Sequence, residues 1–589
     1  MADLSAAQFP EFYQAVHSTP DEPRTPFKWQ NRLAKQIVDG DGWPEVIRVP
    51  TSSGKTSVLD IALFELACWA QNKADKRPPA RRICFVIDRR LVVDEVTEHA
   101  HRLYQAIMAA SGSGGNSTVQ SVREALASLA ADRDVPLRVV RLRGAVYRDD
   151  NWAADPLTPT ILISTVDQIG SRLLFRGYGV SRRSRPVQAG LLAFDTRIIL
   201  DEAHLSTVFA ETLARVDQYQ QWAEKSPLPK GRLVSVVRMS ATAGDGQRVF
   251  ELNDEERKDD RLRPRLEASK PAELITVPVK PIKKEVREKQ PRQARELEGE
   301  NRAKLVEQLV KKTEQFGGNG PAVIGVVVNR IATARQVFEQ LREKGDGEAL
   351  LLTGRIRPYD RDRLLQEWLP KIKAGRETNP DHLLFVVATQ TVEVGANIDF
   401  DALVTEAAPL DALRQRFGRL YRIPDKPADR PAVRAAILIR SDHAKKSEDD
   451  PIYGQAIAET WKWLNGMNKN GSKKKKSKKR ELTTVDFGIN HLDPKLPKSP
   501  DDMRRLLAPQ PEAPLLFPAH LDAWVQTNPM PDPDPDVGPF LHGAADAAVD
   551  VQVIWRADLD EKARKVRANI VRLMPPRIRE ALPVPLYEL

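Results

Sequence analysis

The chain has 589 residues, 41% hydrophobic and 29% charged, with a formal net charge of +10. That length exceeds what one core organises and predicts several soluble globular domains, and no apolar run approaches the roughly 18–20 residues that span a bilayer. Two cysteines, Cys68 and Cys84, exclude a disulfide framework or a cysteine-rich zinc module, and the mixed, acidic start MADLSAAQFPEFYQAVH is unlike a signal peptide, so the expected compartment is the cytoplasm.

In chain order, EVIRV predicts a strand, RVPTSSGKTS (Arg48 to Ser57) a loop, and SVLDIALFELACWA a helix. This is the context of a phosphate-binding loop, although Val49 stands where the strict pattern has its first glycine. Gly54 lets backbone N–H groups of the stretch Ser53 to Ser57 approach phosphates, and the following helix N-terminus favours negative charge. Lys55 is the residue to neutralise β/γ oxygens, and Thr56 to place a hydroxyl on Mg²⁺. The runs ARRICFVID, TPTILIST and TRIILDEAH predict strands buried on both faces, separated by helical patterns and by a polar loop, SGSGGNST. The third run ends in Asp201-Glu202-Ala203-His204. Asp201 at a strand's carboxyl end can hold Mg²⁺ and Glu202 can polarise a water, so the pair predicts ATP binding and hydrolysis. LVSVVRMSAT gives a further strand.

The pattern then breaks. A first α/β domain over 1–250 is expected to be followed by a charged, proline-interrupted connector over 251–305, with one strand at ELITVPV. A second α/β domain over 306–445 follows, from AVIGVVVN, LLFVVATQ, DALVTEAA and AAILIR. The expected fold class is therefore α/β, with two tandem domains of parallel sheet flanked by helices. Residues 446–480 predict a helix and a basic linker; Lys473 to Arg480 carry seven positive charges, leaving +3 for the rest. Such a run is most simply a solvated tether. Residues 481–589, proline-rich, predict an irregular accessory module. His491-Leu492-Asp493 and His520-Leu521-Asp522 are a weak metal signal there, and turn residues are the plainer reading.

DEAH, with Ser240-Ala241-Thr242, resembles superfamily-two helicases, whose two RecA-like domains enclose one ATP and carry a nucleic-acid strand. The resemblance implies that Phe27 stacks on adenine and Gln30 hydrogen-bonds it. It places strand contacts at Arg89 and Arg90 in VIDRRL, at Thr165 and Gln168 in STVDQ, at Arg355 in TGRIRPYDR, and at Thr389 and Gln390 in ATQTVEVGANIDF. In LRQRFGRLYR it makes Gln415 a γ-phosphate sensor and Arg419 and Arg422 arginine fingers, a role suited to a permanently charged, bidentate guanidinium. Gly395 and Asp399 are implied nucleotide contacts; Asn397 stands where the family commonly has aspartate.

TQTVEVGANIDFD, QRFGRLYR and TVDQIGSRLLFRGYG more specifically resemble the CRISPR-associated helicase of type I interference systems. PAHLDAWVQTNPMPDPDPDVGPFLHG and VQVIWRADL look like its type I-G (formerly I-U) variant. That family implies a monomer when free. It is recruited by the RNA-guided surveillance complex, loads on the displaced non-target DNA strand, moves 3′ to 5′ and feeds an HD nuclease. No His-Asp dipeptide occurs among the nine histidines, so the nuclease is expected in trans or on a missing C-terminal extension. The alternatives are a general RNA or DNA helicase, and a scaffold that binds ATP and nucleic acid without turnover.

Overall fold

The computed structural model describes residues 3–586 except 20–22, 73–77, 88–89, 111–115, 143–150, 223–233, 241–245, 319, 321, 394–396, 425–429, 446–449, 470–482, 545–549 and 560–563. The chain divides into two units: lobe one, Met1–Leu262 with Gln510–Ala547, and lobe two, Arg263–Pro509 with Ala548–Leu589.

Lobe one is built on seven strands: β1 Val46–Arg48, β2 Arg82–Ile87, β3 Arg138–Leu142, β4 Thr160–Thr165, β5 Thr196–Leu200, β6 Ser235–Met239 and β7 Val249–Glu251. They lie in the order β3-β4-β2-β5-β6-β1-β7, and every pairing is parallel. Parallel neighbours need crossover connections, and the covering helices bury both faces of the sheet. Accordingly β2, β4 and β5 are buried at every position. The helices used below are α1 Phe9–His17, α2 Lys28–Asp39, α3 Val58–Asn72 and α4 Arg90–Ala109.

Lobe two repeats the design with β8 Pro271–Val277, β9 Val323–Val327, β10 Glu348–Leu352, β11 Leu384–Ala388, β12 Ala402–Glu406, β13 Arg434–Arg440 and β14 Thr484–Asp486. The order is β10-β11-β9-β12-β13-β8-β14, parallel throughout except that β14 runs antiparallel to β8. Both lobes are RecA-like in architecture, as expected.

Two expected boundaries are corrected. Residues 251–305 are not a separate connector. β7 forms the edge of the first sheet, and β8 is a full member of the second. The charged stretch beyond them enters the helix Pro291–Gly317, whose later turns bury Leu305, Val306, Leu309 and Val310. The charges mark that helix's exposed face, which composition cannot distinguish from a linker. Residues 481–589 are likewise not one module. β14 belongs to the second sheet, while 510–547 belongs to lobe one. Trp524 anchors that segment at 0% exposure, Arg176 donates to Asp534 Oδ1 (2.7 Å) and to the Trp524 carbonyl (2.7 Å), and Thr212 donates to the Phe540 carbonyl. Leu516, Trp524, Val537, Phe540 and Leu541 of this segment join a hydrophobic core cluster of lobe one. The Lys473 to Arg480 run lies outside the described residues. Among the described residues, no helix is long and apolar enough to cross a membrane.

Candidate active site

In lobe one the loops at the carboxyl ends of β1 and β5 carry the expected phosphate and hydrolysis residues. Val49, where the strict motif has glycine, is 1% exposed and part of the core. The left-handed backbone positions fall later, at Ser52 (φ 64°) and Gly54 (φ 77°). No glycine is needed at 49 because the chain does not turn there; glycine is needed at 54, where it does.

The loop is held from within and from α2. Ser53 Oγ donates to the Pro50 carbonyl (2.7 Å) and Ser57 Oγ to the Gly54 carbonyl (2.8 Å). Trp29 Nε1 donates to the Ser53 carbonyl (3.0 Å) and Gln30 Nε2 to the Gly54 carbonyl (3.0 Å). Gln30 Oε1 accepts from the Phe27 N–H at 2.7 Å, so both ends of this fully buried amide are engaged inside the lobe. Gln30 therefore acts as a brace between the Phe27 turn and the phosphate loop. Phe27 is 9% exposed, with the Arg261 guanidinium 4.6 Å from its ring centroid. The brace by Trp29 was not foreseen; its only sequence signal is its position beside Gln30.

A Cβ added at Gly54 would meet Gln30 Nε2 at 2.8 Å and the Phe27 ring at 3.2 Å. The left-handed backbone adds about 1–2 kcal/mol for any other residue. Gly54→Ala is thus expected to weaken nucleotide binding at least tenfold while leaving the lobe folded. Nucleotide titration beside thermal unfolding checks this, and an unchanged affinity would contradict the loop geometry.

Across the loop, Lys55 Nζ lies 3.0 Å from Glu202 Oε1, both side chains being largely shielded. Glu202 Oε2 is 3.5 Å from His204 Nδ1, and that nitrogen is 2.8 Å from Ser240 Oγ. A continuous polar chain thus joins Lys55, Glu202, His204 and Ser240, linking the phosphate loop to the ends of β5 and β6. Glu202 has a left-handed backbone (φ 46°), a conformation that costs a non-glycine residue free energy and concentrates at functional sites. Asp201 Oδ1 accepts the Glu202 N–H at 3.0 Å. Burial and then the Glu202 charge push the Asp201 carboxyl up to about 7, against the pull of Lys55. The Thr56 hydroxyl and the Asp201 carboxylate are hard oxygen donors, and Asp201 stands where an added positive charge is favoured. This donor set fits Mg²⁺.

Among the strand-contact residues of lobe one, Arg89 lies outside the described residues and Arg90 opens α4. Thr165, 4% exposed, occupies the N-cap position of the helix Val166–Leu173 without a side-chain cap bond. Gln168, 7% exposed, accepts from Arg172 Nη1 at 2.7 Å, which turns its amide oxygen inward.

In lobe two, Arg355 is exposed, as a phosphate contact requires. The nearby carboxylates are taken by other arginines: Asp360 by Arg357 and Asp362 by Arg361. Thr389 is 3% exposed, and Gln390 Nε2 donates to the Asn329 carbonyl (3.0 Å) and to Tyr453 Oη (2.8 Å), so Gln390 braces the lobe internally. Gly395 lies outside the described residues. Gln415 is 7% exposed; Arg419 is 6% exposed and donates to the Val392 and Glu393 carbonyls at 3.1 and 3.0 Å. Arg422 is half-buried and its N–H binds Asp399 Oδ1 at 2.8 Å. The Asp399 carboxylate is engaged within lobe two. It is fully buried and accepts from Arg430 Nη1 and Nη2 (3.0 and 2.8 Å) as well as Arg422 N–H.

Arg416 is the functional-motif residue that sequence reasoning passed over. It is 0% exposed and donates to Glu393, Thr405 Oγ1, the Glu406 carbonyl and Asn329 Oδ1, each within 2.9 Å. Its signal was available: it lies three residues after Leu413, on the buried face of the helix Leu410–Phe417. Its fork ties the 390–393 turn to the ends of β9 and β12.

The HxD pairs do not gather a third ligand among the described residues. His520 instead accepts the Phe517 N–H and stacks beside Trp524, while His491 stays part-exposed near Asp486.

Residues 321–425 match the family model of the CRISPR-associated nuclease/helicase Cas3, C-terminal. The CRISPR-associated helicase Cas3 of Thermoproteus tenax is 37% identical over 120 residues, 20% of this chain and 19% of that protein. The CRISPR-associated nuclease/helicase Cas3 of Streptococcus thermophilus is 31% identical over 117 residues, 20% of this chain and 12% of that protein. The crystal structure of T. fusca Cas3 with ATP shares the fold, with a TM-score of 0.54 at 15% identity over 98% of this chain and 65% of that one. The chain therefore spans less than two thirds of that structure, and the matched segments are a small part of the curated relatives.

Proposed function

We propose, from the premise that this chain is a CRISPR-associated helicase of the Cas3 kind, that it is an ATP-driven, Mg²⁺-dependent translocase on single-stranded DNA in type I interference. The observation that carries this reading is the polar chain from Lys55 through Glu202 and His204 to Ser240 at the carboxyl edge of a parallel sheet. It links a phosphate-binding lysine to a carboxylate suited to orient water and onward to a second strand end, the coupling an NTP-driven motor requires.

Lys55 and the loop N–H groups of Ser53 to Ser57 take the β/γ-phosphates, and Glu202 orients the attacking water. Thr56 and Asp201 would hold Mg²⁺, which when bound supplies charge neutralisation on the phosphates. In lobe two, Gln415 and Arg422 are assigned to the γ-phosphate. The two carbonyl bonds of Arg419 suit it to holding the 390–393 turn as a positioning residue. Arg355, with Arg89, Arg90 and Thr165, is assigned to the strand's phosphates. The type I-G resemblance further suggests recruitment by an RNA-guided complex to the displaced strand, 3′ to 5′ movement, and delivery of DNA to an HD nuclease.

ATPase rates with single-stranded DNA, with RNA and without polymer test the reading. Stimulation by DNA is the expected result; equal stimulation by RNA points to a general helicase, and no strand-dependent turnover to a scaffold. Arg355→Ala is expected to weaken DNA binding uniformly across sequences and to lower the salt slope by about one. An unchanged slope removes Arg355 from the strand path.

A further inference from the structure

Three helices of lobe one bring together a side-chain group that the ATP reading does not use. His17 ends α1, Asp60 lies in the first turn of α3 and His99 sits midway along α4; their exposures are 5%, 0% and 7%. His17 Nε2 is 2.6 Å from Asp60 Oδ1, and His99 Nε2 is 2.5 Å from Asp60 Oδ2. The two imidazole rings lie 4.6 Å apart, centroid to centroid. The candidate donor atoms of the three residues all lie within 4.8 Å of one another, and this is the group of three such ligands found among the described residues. Tyr13, one turn before His17, places its ring 4.5 Å from the His17 ring and stays half-buried.

We propose that His17, Asp60 and His99 form a binding site for a borderline transition-metal ion, of which Zn²⁺ is the natural occupant. Two imidazole nitrogens and one carboxylate are the donor set that Zn²⁺ and Co²⁺ favour, whereas Mg²⁺ and Ca²⁺ prefer oxygen alone. The ligands come from separate helices and already converge through the same nitrogen of each ring, so little side-chain order has to be created on binding. All three side chains are buried, which strengthens ligand–metal attraction and slows exchange. Each imidazole Nε2 lies at hydrogen-bond distance from an Asp60 oxygen, so a bound cation would take the place of the protons shared there.

The site lies four residues beyond Thr56, on the helix that leaves the phosphate loop. A bound ion would fasten that helix to α1 and to α4, the helix that follows β2. Its role is structural: it fixes the backing of the loop and adds no step to hydrolysis.

The test uses the full chain, stripped with a chelator and carrying Asp201→Asn to remove a cation ligand of the ATP site, titrated with Co²⁺ and then Zn²⁺ salts alone. One equivalent of Co²⁺ should bind with visible d–d bands, be displaced by Zn²⁺, and raise Tm by several degrees. His17→Gln and His99→Gln keep a side-chain N–H to donate to Asp60 but lose the imidazole ligand, so metal affinity should fall at least about a hundredfold in each. Absence of stoichiometric binding in the parent overturns the site in favour of a purely hydrogen-bonded triad. Undiminished binding in both variants overturns it in favour of a surface site. Should the variants not fold, X-ray absorption of the Zn²⁺-loaded parent decides: two imidazoles in the first coordination shell are required, and none refutes the assignment.

Discussion

Glu202→Gln should lower ATP turnover at least about a hundredfold while the protein still binds nucleotide, and Lys55→Ala should lose both turnover and most nucleotide affinity. The two differ because of what each leaves behind. The glutamine carbonyl can still accept from Lys55 Nζ, which now lies 3.0 Å from Glu202 Oε1, so the loop keeps its partner. It also removes the charge that, after burial, does most to push Asp201 up. Glu202→Gln should therefore unfold no earlier than the parent, and its defect is confined to orienting and deprotonating water. Lys55→Ala instead leaves Asp201 and Glu202 adjacent without the cation that opposes their repulsion, and the phosphates lose their main countercharge. Steady-state hydrolysis, fluorescent-nucleotide binding and thermal unfolding of both variants give the comparison. Robust ATPase in both purified proteins would remove this site from the mechanism.

The residues of that site were legible because their chemistry is local. A lysine after glycine, a DE pair ending an apolar strand, and strands that must be apolar on both faces each leave a short, unbroken record. All eight apolar runs became strands, β2, β4, β5, β6, β9, β11, β12 and β13, and EVIRV became β1. The strands passed over are of another kind. β3 is only half-buried and basic, RVVRL, and β10 begins with an exposed glutamate, so edge strands carry half the apolar signal. β7 and β14 are three residues each, too short for any period.

Side chains whose role depends on a distant partner were the least legible. Gln30 carries the expected amide at the expected position, yet only the fold reveals that the Gly54 carbonyl, 24 residues on, occupies it. Gln168 and Gln390 follow the same rule. Their motif position marks a functional edge of the sheet, but the direction of the amide is settled by Arg172 in one case and by Asn329 and Tyr453 in the other. Segment 510–547 illustrates the limit for domains. Its prolines announce irregular backbone, and nothing in their spacing announces that Trp524 and Asp534 belong to Arg176, more than three hundred residues earlier.

Replacing Arg430 by Met should cost lobe two about 3–5 kcal/mol of stability, the usual result of stranding a buried charge. Asp399 and Asp401 are both 0% exposed. Arg430 bridges them, with Nη2 at 2.8 Å from Asp399 Oδ1 and Nε at 2.7 Å from Asp401 Oδ1, and its guanidinium lies 3.9 Å from the centroid of the Tyr421 ring. Asp401 has a second cation in Arg376, 2.6 Å away, and accepts the Val323 N–H besides. Asp399 has less in reserve: among the described residues, without Arg430 it keeps backbone donors from Arg422 and Ile423 and the attraction of the buried Lys270 charge. The loss should therefore be felt at Asp399, and Asp399→Asn, which removes the same attraction from the other side, should also destabilise lobe two. Neither change should alter nucleotide affinity in the protein that remains folded. A ribose contact through Asp399 demands the reverse, weakened ATP binding with stability intact. Denaturant unfolding and nucleotide titration on the two variants separate these outcomes. They decide whether the aspartate two residues after Asn397 belongs to the nucleotide or to the core.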